Sequence, residues 1–154
     1  VITDLSDYRL SLAAKVGAVT VNTAQQDLRE VMTSLGMTEG FDVGLELSGA
    51  PAATRQMIEV CNHGAKIAML GLPKAGYEVD WNQVITHMLT IQGVYGREMY
   101  DTWYKGSFML GSSRELRDQI RGIITHRFAP EEWSQAFEAA RSGQCGKVII
   151  NWED

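Results

Sequence analysis

The chain has 154 residues, 45% of them apolar, with a net charge of −5 and a pI near 5.2. That length fits one domain with a real core. The acidic balance argues against nucleic acid or an anionic membrane as the main partner, because both require a basic face. No apolar run is long enough to cross a bilayer and no basic signal-peptide start is present, so a cytoplasmic location is expected. Cys61 and Cys145 are too few for a disulfide framework and read as buried free thiols in a reducing compartment.

Val1-Ile2-Thr3 reads as a strand that stops at Asp4, and Ser6 can cap a helix with Tyr8, Leu12 and Val16 as its apolar stripe and Gly17 as its end. Val19-Thr20-Val21 is a short strand. Leu28, Val31, Met32 and Leu35 recur at helical spacing, closed by Gly36. Phe41 to Leu47 reads as a strand, followed by Ser48-Gly49-Ala50 and a helix opened by Pro51. Asn62-His63-Gly64 predicts a turn, then Ala65 to Leu70 a strand stopped at Gly71. A short helix follows Trp81, and Thr90 to Tyr95 is a strand stopped at Gly96. Strands alternating with helices predict an α/β fold with a parallel sheet.

Later elements are less regular. Glu98 to about Leu110 reads as helix, while the charged stretch from Ser112 to Arg121 has no clear assignment. Ile123 to Phe128 reads as a strand, Pro130 opens a helix with Trp133, Ala136, Phe137 and Ala140 on one face, and Lys147 to Trp152 is a last strand. This tail either packs on the sheet or returns to a second domain.

In an open parallel sheet, ligands bind beyond the carboxyl ends of the strands. Asp4 stands at such an end. Its carboxylate could accept both hydroxyls of an adenosine ribose and would repel a 2′-phosphate, favouring NAD over NADP. The same acid could equally be a turn former, or hold the ribose of S-adenosylmethionine in a methyltransferase. Arg9 could stack on an adenine ring or simply be solvated. Small residues in Ser48-Gly49-Ala50, Leu70-Gly71-Leu72 and Val94-Tyr95-Gly96 would let a ligand approach the backbone, although each is also a turn. His63, His87 and His126 have no metal-ligand spacing to one another or to a cysteine. The chain contains no G-x-G-x-x-G, P-loop, G-x-S-x-G or H-E-x-x-H. No residue set is able to do chemistry by itself.

Several stretches carry a resemblance. They are Met37 to Glu46, Ser48-Gly49-Ala50-Pro51, Gly96-Arg97-Glu98-Met99-Tyr100 with Thr102-Trp103-Tyr104-Lys105, Ile124-Thr125-His126-Arg127-Phe128 and Gly146-Lys147-Val148-Ile149. Together they resemble the bacterial L-threonine 3-dehydrogenases of the zinc-containing medium-chain dehydrogenase/reductase superfamily, over essentially the whole chain. The resemblance implies a C-terminal part of such an enzyme, beginning at the second strand of a Rossmann-like doubly wound parallel sheet. The sheet's first strand and glycine-rich loop, and the zinc-bearing catalytic domain, would precede Val1. Residues 1–122 would be the partial NAD-binding domain, and 123–154 the segment returning to the catalytic domain.

The site residues it implies are cofactor contacts: Asp4 for the adenosine ribose, Arg9, and the backbone of Leu70, Gly71, Leu72, Val94 and Tyr95 near the nicotinamide. Catalytic residues and zinc ligands are expected to have no counterparts here. The implied activity of the parent is NAD-dependent oxidation of L-threonine to 2-amino-3-oxobutanoate, with this chain inactive alone and a homotetramer as the assembly. A non-catalytic nucleotide-binding module, or another zinc-type alcohol or polyol dehydrogenase, is the alternative. One departure stands out. Ser107 to Gly122 is longer than the family pattern and carries Arg114, Arg117 and Arg121.

Overall fold

The computed structural model describes residues 1–96 and 98–152. Arg97 of the Gly-Arg-Glu-Met stretch therefore lies outside the described residues. By contacts the chain forms two units, one of residues 1–28 with 98–154 and the other of residues 29–97.

In the first unit, strand β1 (Ile2–Asp4) leads through helix α1 (Asp7–Ala14) to β2 (Thr20–Asn22). β1 and β2 pair in parallel, with Asp4 beside Asn22. Ser6 caps α1, its hydroxyl accepting the Arg9 N–H at 3.4 Å. The residue that α1 buries is Leu10 rather than the expected stripe: Tyr8 and Leu12 are half-buried and Val16 is exposed.

Helices α5 (Asp101–Ser112) and α6 (Arg114–Gly122) belong to the same unit. The stretch with no clear assignment is therefore a helix. Ser113 caps α6, its hydroxyl accepting Leu116 N–H at 3.1 Å, and Arg114 and Arg121 both pair with Asp118. The Arg117 guanidinium donates to the carbonyls of Leu110 and Gly111, which end α5. α5 buries none of its residues and leaves Trp103, Tyr104 and Phe108 exposed. The tail folds as a sheet of its own, β6 (Ile124–Phe128) parallel to β7 (Lys147–Ile150), joined by a 3-10 turn (Pro130–Glu132) and α7 (Trp133–Arg141).

The second unit starts with α2 (Leu28–Ser34), whose first residue falls on the boundary, and holds a three-stranded parallel sheet in the order β3-β4-β5. Its strands are β3 (Phe41–Glu46), β4 (Cys61–Met69) and β5 (Thr90–Gly93), linked by α3 (Pro51–Val60) and α4 (Trp81–Thr86). Asp80 caps α4 by accepting two backbone N–H groups. The core gathers Ile58, Cys61, Ala65, Ile67 and Val84, with Phe41, Met57 and Leu89 packed against it. Full burial of one such large side chain contributes roughly 1.5–3 kcal/mol.

The expected turn at Asn62-His63-Gly64 is instead absorbed into β4 as an irregularity. Phe41 faces Cys61, yet Val43 faces Lys66, so the extra residues of β4 bulge. β3 also has an uncovered apolar face, with Val43, Leu45 and Leu47 each more than 60% exposed. Parallel sheets are ordinarily covered on both faces. Among the described residues β1 pairs only with β2, and β3 only with β4. Both strands are therefore edges among the described residues.

Burial pushes the Cys61 thiol pKa above its ordinary value. Unfolding frees this thiol to ionise near pH ~8.5, while the folded chain still holds the proton. Stability contributed by the neutral buried thiol is therefore present below that pH and declines as pH rises toward the folded pKa. Urea midpoints measured between pH 8 and 10 should fall more steeply for the native sequence than for Cys61→Ala; equal slopes would refute the linkage.

Candidate functional site

The carboxyl ends of the strands carry the polar features in both units. In the first, Asp4 ends β1 half-buried, and its Oδ1 accepts the Ser6 N–H at 2.9 Å. No other hydrogen bond to this carboxylate is formed among the described residues, so acceptor capacity remains for a ligand hydroxyl. Arg9 is exposed on α1, and its guanidinium forms no ion pair among the described residues.

Asn22, only 5% exposed, is the organising residue that sequence reasoning missed. Its Nδ2 donates to Asp7 Oδ1 at 2.6 Å and to the Leu5 carbonyl at 3.3 Å, and its Oδ1 accepts Ala24 N–H at 3.0 Å. These bonds fix the turn after Asp4 to the end of β2. The signal available was an asparagine closing a strand opposite an acid. An open groove of about 440 Å³ lies beside it, lined in part by Asp7, Leu10, Ser11 and Gln25.

In the second unit the ends of β3 and β4 interlock. Glu46 is 2% exposed. Its carboxylate accepts Ser48 N–H at 2.9 Å, Gly49 N–H at 3.0 Å and the Ser48 hydroxyl. Its own carbonyl accepts the N–H groups of Leu70 and Gly71 at 2.8 and 3.1 Å. Gly49 has a φ of +68°, the left-handed region that favours glycine. A Cβ on Gly71 would stand 2.0 Å from Gly49 N and 2.5 Å from Glu46 Oε2. The glycine of Leu70-Gly71-Leu72 is thus required first by the neighbouring loop. Val94 N–H donates to the Met69 carbonyl at 2.9 Å and so carries Val94-Tyr95 on from β5. Leu72 and Tyr95 are 73% and 88% exposed. Leu70, Gly71, Leu72, Val94 and Tyr95 therefore share one sheet edge in the second unit, and Asp4 and Arg9 lie together in the first.

This arrangement offers a carboxylate with spare acceptor capacity in the first unit and an accessible backbone edge in the second. It offers no activated nucleophile among the described residues. Among the described residues no group of three or more His, Cys, Asp or Glu could hold a metal ion. No helix of the described residues is long and apolar enough to cross a membrane.

A parallel α/β fold with its polar features at the carboxyl ends belongs to the class of sheets whose ligands bind beyond the strand ends. The family model for zinc-binding dehydrogenases matches residues 1–111, and the chain belongs to that family. It is 53% identical over 154 residues to the L-threonine 3-dehydrogenase of Shewanella woodyi, covering 99% of this chain and 44% of that protein. It is 54% identical to the L-threonine 3-dehydrogenase of Pectobacterium atrosepticum, covering 100% of this chain and 42% of the relative. The chain thus spans less than half the length of these curated relatives.

Solved structures agree on the fold. The 2R,3R-butanediol dehydrogenase of Bacillus subtilis superimposes with a TM-score of 0.81 at 20% identity, over 98% of this chain and 43% of that one. An alcohol dehydrogenase of a Thermus species gives 0.82 at 23% identity, with the same coverage of 98% and 43%.

Proposed function

We propose that this chain is the cofactor-holding part of an NAD-dependent L-threonine 3-dehydrogenase that converts L-threonine and NAD to 2-amino-3-oxobutanoate, NADH and a proton. The observation that carries the reading is the identity of 53% to an L-threonine 3-dehydrogenase over 99% of the chain. The geometry of Asp4 supports the cofactor. Its acceptor oxygens at the end of β1 suit the two ribose hydroxyls of NAD and disfavour a 2′-phosphate. Arg9, in the first turn of α1, would lie against the adenosine end.

On this reading residues 1–122 belong to the NAD-binding domain and 123–154 return to the catalytic domain. The backbone of Leu70, Gly71, Leu72, Val94 and Tyr95 would position the nicotinamide, and bound NAD supplies the hydride acceptor. On this reading the side chains of the described residues bind and orient, and none of them moves a proton. The family's zinc finds no fitting donor set among the described residues, so no step runs through it here. Zinc and the substrate-binding groups would come from the part of the relatives' length that this chain does not span. The bare apolar face of Val43, Leu45 and Leu47 and the unpaired edges of β1 and β3 fit such a neighbour. A cytoplasmic homotetramer is the proposed assembly.

The test is NADH formation with L-threonine and NAD. The protein at its natural length should be active, and the 154-residue chain alone should give none. Threonine-dependent NADH from the isolated chain would overturn the division of labour. Absence of activity in the natural-length protein, with NAD still bound, would favour a non-catalytic nucleotide-binding module.

A further inference from the structure

His63 and His87 are 24 positions apart in sequence, a spacing that suggests no metal site. The fold brings them together. Their rings lie with centroids 4.7 Å apart and planes inclined by 35°. His63 rides on the bulge of β4 and is exposed, and His87 ends α4 half-buried. The backbone holds both in place. Gly64 N–H donates to the His87 carbonyl at 2.7 Å, and Asn62 Oδ1 accepts the His63 N–H at 2.7 Å.

His87 Nδ1 is enclosed by protein and has no hydrogen-bond partner among the described residues. A buried polar nitrogen left unpaired is uncommon and calls for a ligand or a water. Two imidazoles bound to one metal at distances of about 2.0–2.1 Å have ring centroids about 4.5 Å apart for a right angle at the metal and about 5.2 Å apart for the tetrahedral angle. The observed separation falls in that range. Asp42 is engaged by Asn62 Nδ2 at 3.2 Å, and no third His, Cys, Asp or Glu completes a cluster among the described residues.

We propose that His63 and His87 form a two-imidazole site for a divalent transition-metal ion, with water completing the coordination. Imidazole donors and the general order of divalent affinities set the preference: Cu²⁺ first, Ni²⁺ and Zn²⁺ behind it, and Mg²⁺ and Ca²⁺ excluded. The pair sits at the amino-terminal end of β4 and β5. His63 and Leu70 are seven residues apart along β4, about 20 Å at the rise of a strand. The site is thus remote from the edge that carries Leu70 to Leu72, and it stands whether or not that edge binds NAD.

The test titrates the 154-residue chain with Cu²⁺, Ni²⁺, Zn²⁺ and Mg²⁺, reading affinity by calorimetry and location by paramagnetic broadening of histidine ring signals in NMR. Substoichiometric Cu²⁺ should broaden the His63 and His87 signals before those of His126. His63→Gln should weaken Cu²⁺ binding at least tenfold, and His126→Gln should leave it unchanged. Because His63 is exposed, its variant decides the matter even if His87→Gln fails to fold. Broadening centred on His126 or on the N-terminal amine, or wild-type affinity in His63→Gln, would overturn the proposal.

Discussion

Gly71→Ala is expected to cost about 3 kcal/mol of unfolding free energy, the upper range for forcing extra volume into a packed site. The added methyl would stand 2.0 Å from Gly49 N and 2.7 Å from Gly49 Cα, both backbone atoms that cannot swing aside. Gly49 cannot retreat, because its own Cβ position is already filled by the Leu72 backbone, with Leu72 O at 2.4 Å. Relief must come from parting the ends of β3 and β4. Parting them would also break the bonds from Leu70 and Gly71 N–H to the Glu46 carbonyl. A urea titration of the variant should show a large fall in midpoint with the slope kept. A loss below about 1 kcal/mol would mean that the two loops are not interlocked as described. Gly76→Ala is the control, since nothing lies within 4 Å of the place its added methyl would take.

Glu46→Ala is the second large effect, again about 3 kcal/mol. Glu46 is buried, and no cation pairs with it among the described residues. Its carboxylate instead serves the N–H groups of Ser48 and Gly49 and the Ser48 hydroxyl. Removing it empties a buried position and leaves the half-buried Gly49 N–H without its acceptor, at a cost of roughly 1–3 kcal/mol unless water enters, while the donors of exposed Ser48 can turn to water. Glu46→Gln keeps one acceptor oxygen and should lose about half as much. A neutral result for Glu46→Ala would show that water replaces the carboxylate without cost. The two variants share one loop contact, so their effects should not add.

Much of this fold was legible in the sequence. Helix starts at Ser6 and Pro51 and the strand ending at Asp4 carried local chemistry strong enough to read, whereas β4 and β5 stop at Met69 and Gly93, short of the expected stops at Gly71 and Gly96. The misreadings have identifiable causes. Asn62-His63-Gly64 has the composition of a turn, but β3 offers ladder partners on both sides of it, so it became a bulge in β4. The Ser112 to Arg121 stretch has only two apolar residues, Leu116 and Ile120, set four apart among charged ones. Its helix rests on the Ser113 cap, ion pairs to Asp118 and the hold of Arg117 on the end of α5. Leu10 escaped notice because the sequence offered Tyr8 and Leu12 as a competing stripe.

The candidate site was legible only where a residue type names its own chemistry. Asp4 at a strand end did so. Asn22 and Glu46 did not, because their importance comes from partners that only the fold supplies. The pairing of His63 with His87 is the clearest case, since it depends on the bulge and on the bond from Gly64 to the His87 carbonyl. Leu70-Gly71-Leu72 was found for its glycine, yet that glycine answers to Gly49 and Glu46 before any ligand.

The central claim is that Asp4 holds the ribose of NAD. The most direct measurement is steady-state kinetics of threonine oxidation by the natural-length protein carrying Asp4→Ala, with NAD and NADP as alternative cofactors. Loss of hydrogen bonds to a charged group, about 1.5–3 kcal/mol, predicts a KM for NAD raised roughly 10- to 100-fold with kcat little changed, as for uniform binding energy far from the reacting atoms. Discrimination against NADP should fall in the same variant, because the repelling carboxylate is gone. An unchanged KM for NAD, with NADP still rejected, would contradict the account.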